Sequence, residues 1–197
     1  MKIQFIKKEL LEYVIIDDVY TDKEFKIIKK EIEYLQNKAL TVEEIGSAKR
    51  DNKYLKNNKS VWVYDYFHNN PNESPNDLTL YRKIFSSTVY NELEKHSIHF
   101  SHIRRSTGDG LLINYYHDGG EYLPHTDESV FTCLTMFEIG KIEGGNLRFP
   151  DFNEVVEFKE NRMVVFPGCL SHHAEKTHCE KDSYRVTLAN FIYYYKH

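Results

Sequence analysis

The chain has 197 residues, of which 41% are hydrophobic and 14% aromatic, and a formal charge of −4. This length buries a sizeable core without staples. The mildly acidic balance lacks the basic excess of a typical nucleic-acid-binding domain, and no apolar run approaches the ~20 residues of a membrane span. No nucleic-acid or membrane partner is therefore expected. Three cysteines, Cys133, Cys169 and Cys179, form neither an even set nor a metal spacing and read as free thiols. With no apolar signal core between Met1 and Leu11, the expected location is cytoplasmic.

In chain order, Glu12 to Ile16 is a β-branched run that predicts a strand. Thr21-Asp22-Lys23-Glu24 is a capping-box pattern, and Phe25, Ile28, Ile32 and Leu35 continue it as one apolar stripe of a helix. Residues 40 to 60 are polar and basic, with Lys49, Arg50, Lys53, Lys56 and Lys59, and read as a loop. Val61 to Tyr66 alternates like a strand with Trp62, Tyr64 and Tyr66 on one face. Asn69 to Pro75 is a turn cluster, and Ser74-Pro75 would open a second helix running to about His96, with Leu78, Tyr81, Phe85 and Leu93 facing inward.

From residue 98 the pattern is one of strands punctuated by turn residues. After Ile98–Arg104 come eight segments: 111–117, 122–126, 130–138, 145–149, 154–158, 162–166, 171–176 and 184–194. Eight short strands with brief turns predict a two-sheet jelly roll, the double-stranded β-helix. The expected class is mainly β with flanking helices (α+β), the N-terminal helices packed on one sheet. One domain is expected, 1–97 supplying helical support and a lid and 98–197 the jelly-roll core.

His125-Thr126-Asp127 places an imidazole and a carboxylate two residues apart, on one face if both lie on a strand. A further histidine about 45–50 residues on would complete a two-histidine, one-carboxylate set, which leaves positions open on non-haem Fe(II). Two neighbours compete for that place, His172 and His173, and strand parity lets only one face inward. In this register the strands carrying His125 and the later histidine lie at opposite parts of the barrel mouth. Arg185 offers a permanent, fork-shaped cation for a carboxylate-bearing cosubstrate, with the Thr187 hydroxyl on the same face. Tyr116 could add its phenol. His117 and His178 sit in polar turns and read as solvated.

Tyr116 to Asp127, read as Y-x-x-G-x-x-Y-x-x-H-x-D, resembles the corresponding segment of prolyl-4-hydroxylase-like Fe(II)/2-oxoglutarate dioxygenases. Gly144-Gly145-Asn146-Leu147-Arg148-Phe149, Val164-Val165-Phe166-Pro167-Gly168 and Tyr184-Arg185-Val186-Thr187-Leu188 match further elements in the family's order, and Val14 to Val19 is similar to its opening strand. The resemblance selects His172, six residues after Phe166. It implies His125, Asp127 and His172 as iron ligands, and Arg185 as the residue holding the cosubstrate's C5 carboxylate, helped by Thr187 and Tyr116. It also implies O2 as oxidant, succinate and CO2 as coproducts, and ascorbate as reductant. The carboxylate of Asp127 favours hydroxylation over halogenation, and the absence of a second arginine soon after Arg185 disfavours nucleic-acid demethylation.

For the substrate, the family analogy points to peptidyl-proline in a peptide or protein, with a free amino acid or other small metabolite as the alternative. A closed pocket with an extra arginine or acid would favour the free amino acid, and a shallow open groove the peptide. The segment 41–59 and Trp62, Tyr64 and Tyr66 are where a lid and groove would lie. A cupin-like metal-binding module without oxygenase activity stands further off, because a cupin carries H-x-H where this chain has H-x-D.

Overall fold

The computed structural model describes residues 1–46 and 48–194. The N-terminal half opens with a hairpin, β1 (Lys2–Lys8) and β2 (Leu11–Asp17), followed by α1 (Asp22–Gln36). The capping box forms as expected: the Glu24 amide donates to Thr21 Oγ1 and the Thr21 amide to Glu24 Oε2. Next come α2 (Val42–Ile45), a two-stranded ribbon of β3 (Lys49–Arg50) and β4 (Lys53–Tyr54), β5 (Lys59–Trp62) and α3 (Val63–Asn69). Then α4 (Leu78–Tyr81), α5 (Ser87–His96) and α6 (Ser101–Arg104) lead into the β-rich half.

That half contains β6 (Gly108–Tyr116), β7 (Tyr122–His125), β8 (Phe131–Ile139), β9 (Ile142–Gly144), β10 (Leu147–Phe149), β11 (Glu154–Val156), β12 (Arg162–Pro167), β13 (His172–Ala174), β14 (Thr177–Cys179) and β15 (Tyr184–Tyr193). A seven-stranded antiparallel sheet runs β1-β2-β12-β8-β15-β6-β5, and a four-stranded one runs β11-β10-β13-β7. The jelly-roll expectation holds, and the core strands fall close to their predicted places. No helix among the described residues is long and apolar enough to cross a membrane, and the three cysteines are free.

Two hydrophobic clusters explain the layering. On the helix side of the large sheet, Ile28, Ile32 and Leu35 of α1 pack with Met163, Val165, Val186 and Leu188. Between the sheets, Val164 and Phe166 meet Leu147, Phe149 and Val156. Both faces of β12 and β15 are thus covered, as expected for strands that read as continuous apolar runs. Tyr115 donates its hydroxyl to the Ile32 carbonyl at 2.8 Å, pinning α1 to β6. Across the β2–β12 register, Asp17 accepts from Arg162 Nε at 2.7 Å and from Lys159 Nζ at 2.9 Å.

The Arg162 hydrogen bond, opposed in part by burial, depresses the Asp17 pKa to about 2. A carboxylate depressed in the folded state adds stability above its unfolded value, and that stability is lost as pH falls through the folded one. Thermal melts should therefore show the Asp17 contribution present above about pH 4 and fading toward pH 2. Asp17→Asn should lower neutral-pH stability by roughly 1.5–3 kcal/mol and flatten that acid limb.

Five sequence expectations are corrected. Residues 40 to 60 are not simply a loop but carry α2, β3, β4 and the start of β5. Val61 to Tyr66 is not one strand: β5 stops at Trp62 and α3 begins at Val63. The Tyr64 and Tyr66 hydroxyls turn instead to Asp109 and Glu73. Ile98–Arg104 is a 3-10 turn followed by α6, with Phe100 and Ile103 buried at helical spacing and Ile98 79% exposed. The second helix starts at Asp77, whose side chain accepts from the Thr79 amide, and breaks at Ser86, where the backbone is extended. Within it Tyr81 and Leu93 are buried as expected, whereas Leu78 is exposed. Finally β1, with Lys2, Lys7 and Lys8, has no counterpart among the predicted elements. It is an edge strand, where charge is common.

Candidate active site

His125 ends β7 and His172 begins β13, and the two are direct partners in the antiparallel register. The strands are therefore neighbours in the small sheet, not opposite walls of the barrel mouth as the sequence suggested. Their ring centroids lie 4.3 Å apart. Asp127 lies beyond the end of β7, so strand parity does not place it. Its amide donates to the Gly168 carbonyl at 2.8 Å, and the Gly168 amide donates to Val130. Gly168 is needed there, because a Cβ would sit 2.2 Å from the Ser129 carbonyl oxygen.

One ligand atom from each of His125, Asp127 and His172 lies within 4.8 Å of the other two. His125 Nε2 is 3.7 Å from one carboxylate oxygen, and His172 Nε2 is 3.5 Å from the other. Each Nδ1 faces a carbonyl, Leu123 for His125 at 2.8 Å and Leu170 for His172 at 3.0 Å. A carbonyl only accepts, so Nδ1 carries the proton and both Nε2 lone pairs face the carboxylate. Burial lowers the His125 pKa to about 3 and lowers that of His172, keeping both rings neutral. Burial raises Asp127, while the Thr132 hydroxyl favours its charged form. Tyr122 stacks on His125 with centroids 3.6 Å apart, and Phe166 meets His172 edge-on at 4.7 Å. Two neutral imidazoles and a carboxylate, each oriented by a further partner, can hold a divalent iron.

Along β15 the parity splits cleanly. Arg185, Thr187, Ala189 and Phe191 face a cavity of about 140 Å3 that also contains the three ligands. Arg185 is 1% exposed, and its Nε and Nη1 have no hydrogen-bond partner among the described residues. Burial lowers its pKa, and no carboxylate pairs with it there. The guanidinium lies 4.7 Å over the Tyr116 ring, and the Tyr116 phenol sits against both Arg185 and Thr187. Unsatisfied donors on a buried cation are costly in isolation, so the cradle suits a carboxylate. The donor set and this arginine therefore fit Fe(II) and 2-oxoglutarate.

Gly145 (φ 70°) closes over the arginine, and a Cβ there would stand 2.5 Å from Arg185 Cδ. Gly145→Ala combines a left-handed backbone with that clash. It should destabilise the fold by about 1–3 kcal/mol, read by chemical denaturation, and weaken 2-oxoglutarate binding in calorimetry.

Sequence reasoning gathered His125, Asp127, His172, Arg185, Thr187 and Tyr116, and all six face this one cavity. His173 is half-buried and does not line it, while His117 and His178 are exposed. Of the three aromatics expected at a groove, Trp62 alone lines the cavity. The sequence did not signal the depth of Lys56, which is 4% exposed inside the cavity wall rather than in a solvated loop. Its Nζ donates to Ser60 Oγ at 3.0 Å and Asn114 Oδ1 at 3.3 Å, and burial lowers its pKa to about 8.

Residues 111–193 match the 2OG-Fe(II) oxygenase superfamily model. The resemblance read from the sequence stands. In structure the chain is similar to a Pseudomonas putida prolyl-4-hydroxylase, at 12% identity and a TM-score of 0.61 over 93% of each chain. It is similar to the viral collagen prolyl hydroxylase of Paramecium Bursaria Chlorella virus-1, with 13% identity and a TM-score of 0.55 over 93% of this chain and 96% of that one. A Trichoplax adhaerens prolyl hydroxylase, in complex with a hypoxia inducible factor peptide fragment, matches at 14% identity and a TM-score of 0.57. That match covers 92% of this chain and 83% of the other. Comparison with curated proteins finds no match. At these identities the structural likenesses establish the fold alone, a double-stranded β-helix with flanking helices.

Proposed function

We propose that the chain is an Fe(II)- and 2-oxoglutarate-dependent dioxygenase that hydroxylates an unactivated C–H bond. His125, Asp127 and His172 would hold iron, and Arg185, with Thr187 and Tyr116, the C5 carboxylate of 2-oxoglutarate. The observation that carries this is one cavity with two histidine Nε2 atoms, a carboxylate and a buried arginine with unsatisfied N–H groups. Iron held there would supply the oxygen chemistry, with one oxygen atom of O2 going to the substrate and the other to succinate as CO2 is released. The chain's own residues orient the reactants. Thr132 and Gly168 fix the carboxylate, Leu123 and Leu170 fix the imidazoles, and the barrel wall excludes water.

The substrate reading carried by the neighbours' descriptions is peptidyl-proline, hydroxylated in the prolyl 4-hydroxylase manner. A specific observation supports a second reading, a free amino acid or small metabolite: Lys56 adds a second buried cation to the same cavity. The enzyme would act in the reducing cytoplasm, with ascorbate as auxiliary reductant. The test is succinate release with Fe(II) and 2-oxoglutarate across proline-rich peptides and free amino acids, with mass spectrometry for a gain of one oxygen. Failure of 2-oxoglutarate to bind the metal-loaded protein would remove the proposal.

A further inference from the structure

We infer that Lys56 is a substrate anchor and that the substrate presents a carboxylate to it, as a free amino acid or a chain-terminal residue does. The inference rests on the hydroxylase reading and names its substrate class. Lys56 follows β4 and precedes β5, and its backbone bridges to Tyr122 of β7, three residues before His125. Its ammonium lies 5.6 Å over the Tyr122 ring, whose face also stacks on His125. The anchor and the metal ligands thus share one wall of one cavity.

Lys56 has only neutral partners. Asn114 Oδ1 also accepts from Asn58 Nδ2 at 2.9 Å and from Ser60 Oγ at 2.8 Å, a preformed polar nest around a cation with no counter-ion among the described residues. A buried cation without an anion is expensive, so the site is built to receive one.

Charge balance identifies it. Among the described residues Asp127 is the one carboxylate lining the cavity, against two cations, Arg185 and Lys56. A divalent iron and the dianionic cosubstrate cancel, Asp127 offsets one cation, and a single positive charge remains. A carboxylate presented to Lys56 pairs with that charge, and in a free amino acid the α-ammonium would then have to point away from the lysine. Outside, the β3–β4 ribbon carries exposed Lys49, Arg50 and Lys53, with Arg50 Nη2 3.4 Å from the Pro124 carbonyl beside the ligand strand. That basic rim favours entry of an acidic small molecule. A mid-chain proline has no such charge to offer.

Trp62 is the chain's single tryptophan and lines the cavity, so its fluorescence reports occupancy directly. The probes are the free L-amino acids, their carboxamides and proline-rich peptides with free or amidated ends, titrated into protein loaded with Mn(II) and 2-oxoglutarate, which holds the site without turnover. At least one free carboxylate should bind, and its carboxamide should bind about tenfold or more weakly. Lys56→Met should erase that difference while leaving 2-oxoglutarate affinity within about twofold. Lys56→Gln serves the same comparison should the methionine variant melt early.

Binding of amidated peptides as tightly as free acids, or no binding by any free carboxylate, would overturn the assignment. Equal loss of 2-oxoglutarate binding in Lys56→Met would also overturn it by moving the lysine to the cosubstrate. Failure of 2-oxoglutarate to bind the unaltered protein would instead strike the hydroxylase reading itself.

Discussion

Asp127→Ala should abolish 2-oxoglutarate turnover, measured as succinate, while leaving a folded protein. The carboxylate is the only acidic donor between two neutral imidazoles, and both of its oxygens face their Nε2 atoms. Removing it takes away the site's anion and a third of its ligand set. The loss should exceed the roughly 10–100-fold expected from changing an outer partner. Thr132→Val, which removes the hydroxyl that donates to that carboxylate, should fall within this smaller range.

A melt of the metal-free Asp127→Ala variant separates loss of chemistry from loss of fold. Burial raises the Asp127 carboxyl, so the charge costs stability at neutral pH in metal-free protein. The variant should melt no earlier than the parent. Succinate production at the parental rate would show that the ligand set is wrong.

Arg185→Ala should raise the 2-oxoglutarate concentration for half-maximal rate by about 100-fold, with a much smaller effect on the rate at saturation. Two guanidinium nitrogens, Nε and Nη1, have no partner among the described residues and can each donate to a carboxylate. Each charge-assisted hydrogen bond contributes roughly 1.5–3 kcal/mol, so losing the pair approaches two orders of magnitude or more in affinity. Arg185→Lys keeps the charge but loses the fork, and should fall between. Stopped-assay kinetics at varied 2-oxoglutarate measure all three proteins. An unchanged requirement in Arg185→Ala would place the cosubstrate anchor elsewhere.

Legibility in the sequence followed the physics of each segment. β6, β7, β8, β10, β11, β12, β13 and β15 alternate or run apolar between Gly, Asn, Asp and Pro turns, so period and punctuation agreed, whereas β9 and β14, three residues each, are too short to carry a period. Val61 to Tyr66 misled because aromatic and β-branched residues suit a strand, yet hydrogen bonds to Asp109 and Glu73 favour a helix there. The reverse held for Ile98–Arg104, where Phe100 and Ile103 carried a helical spacing too short to stand out.

At the site, Arg185 and Thr187 share a face because both lie within β15, so their spacing was enough to pair them. Asp127 reaches the histidines by a different route, a loop clamped to Gly168, which the H-x-D spacing alone does not encode. The adjacency of β7 and β13 is a matter of topology, invisible to local pattern. Lys56 was hidden by its company: amid Lys49, Arg50, Lys53 and Lys59 nothing local distinguishes the one lysine that turns inward.

β7 has a second neighbour besides β13. Its Leu123 amide donates to the Leu55 carbonyl at 2.7 Å, and the Asn57 amide donates to Glu121 just before it. Four residues are therefore laced on one margin to the segment bearing Lys56 and on the other to the strand bearing His172. Occupancy at the lysine and occupancy at the histidines should therefore be linked, which titrating metal with and without substrate would measure. By reciprocity, each would raise affinity for the other by the same factor, making the order of loading a property of this short strip of backbone.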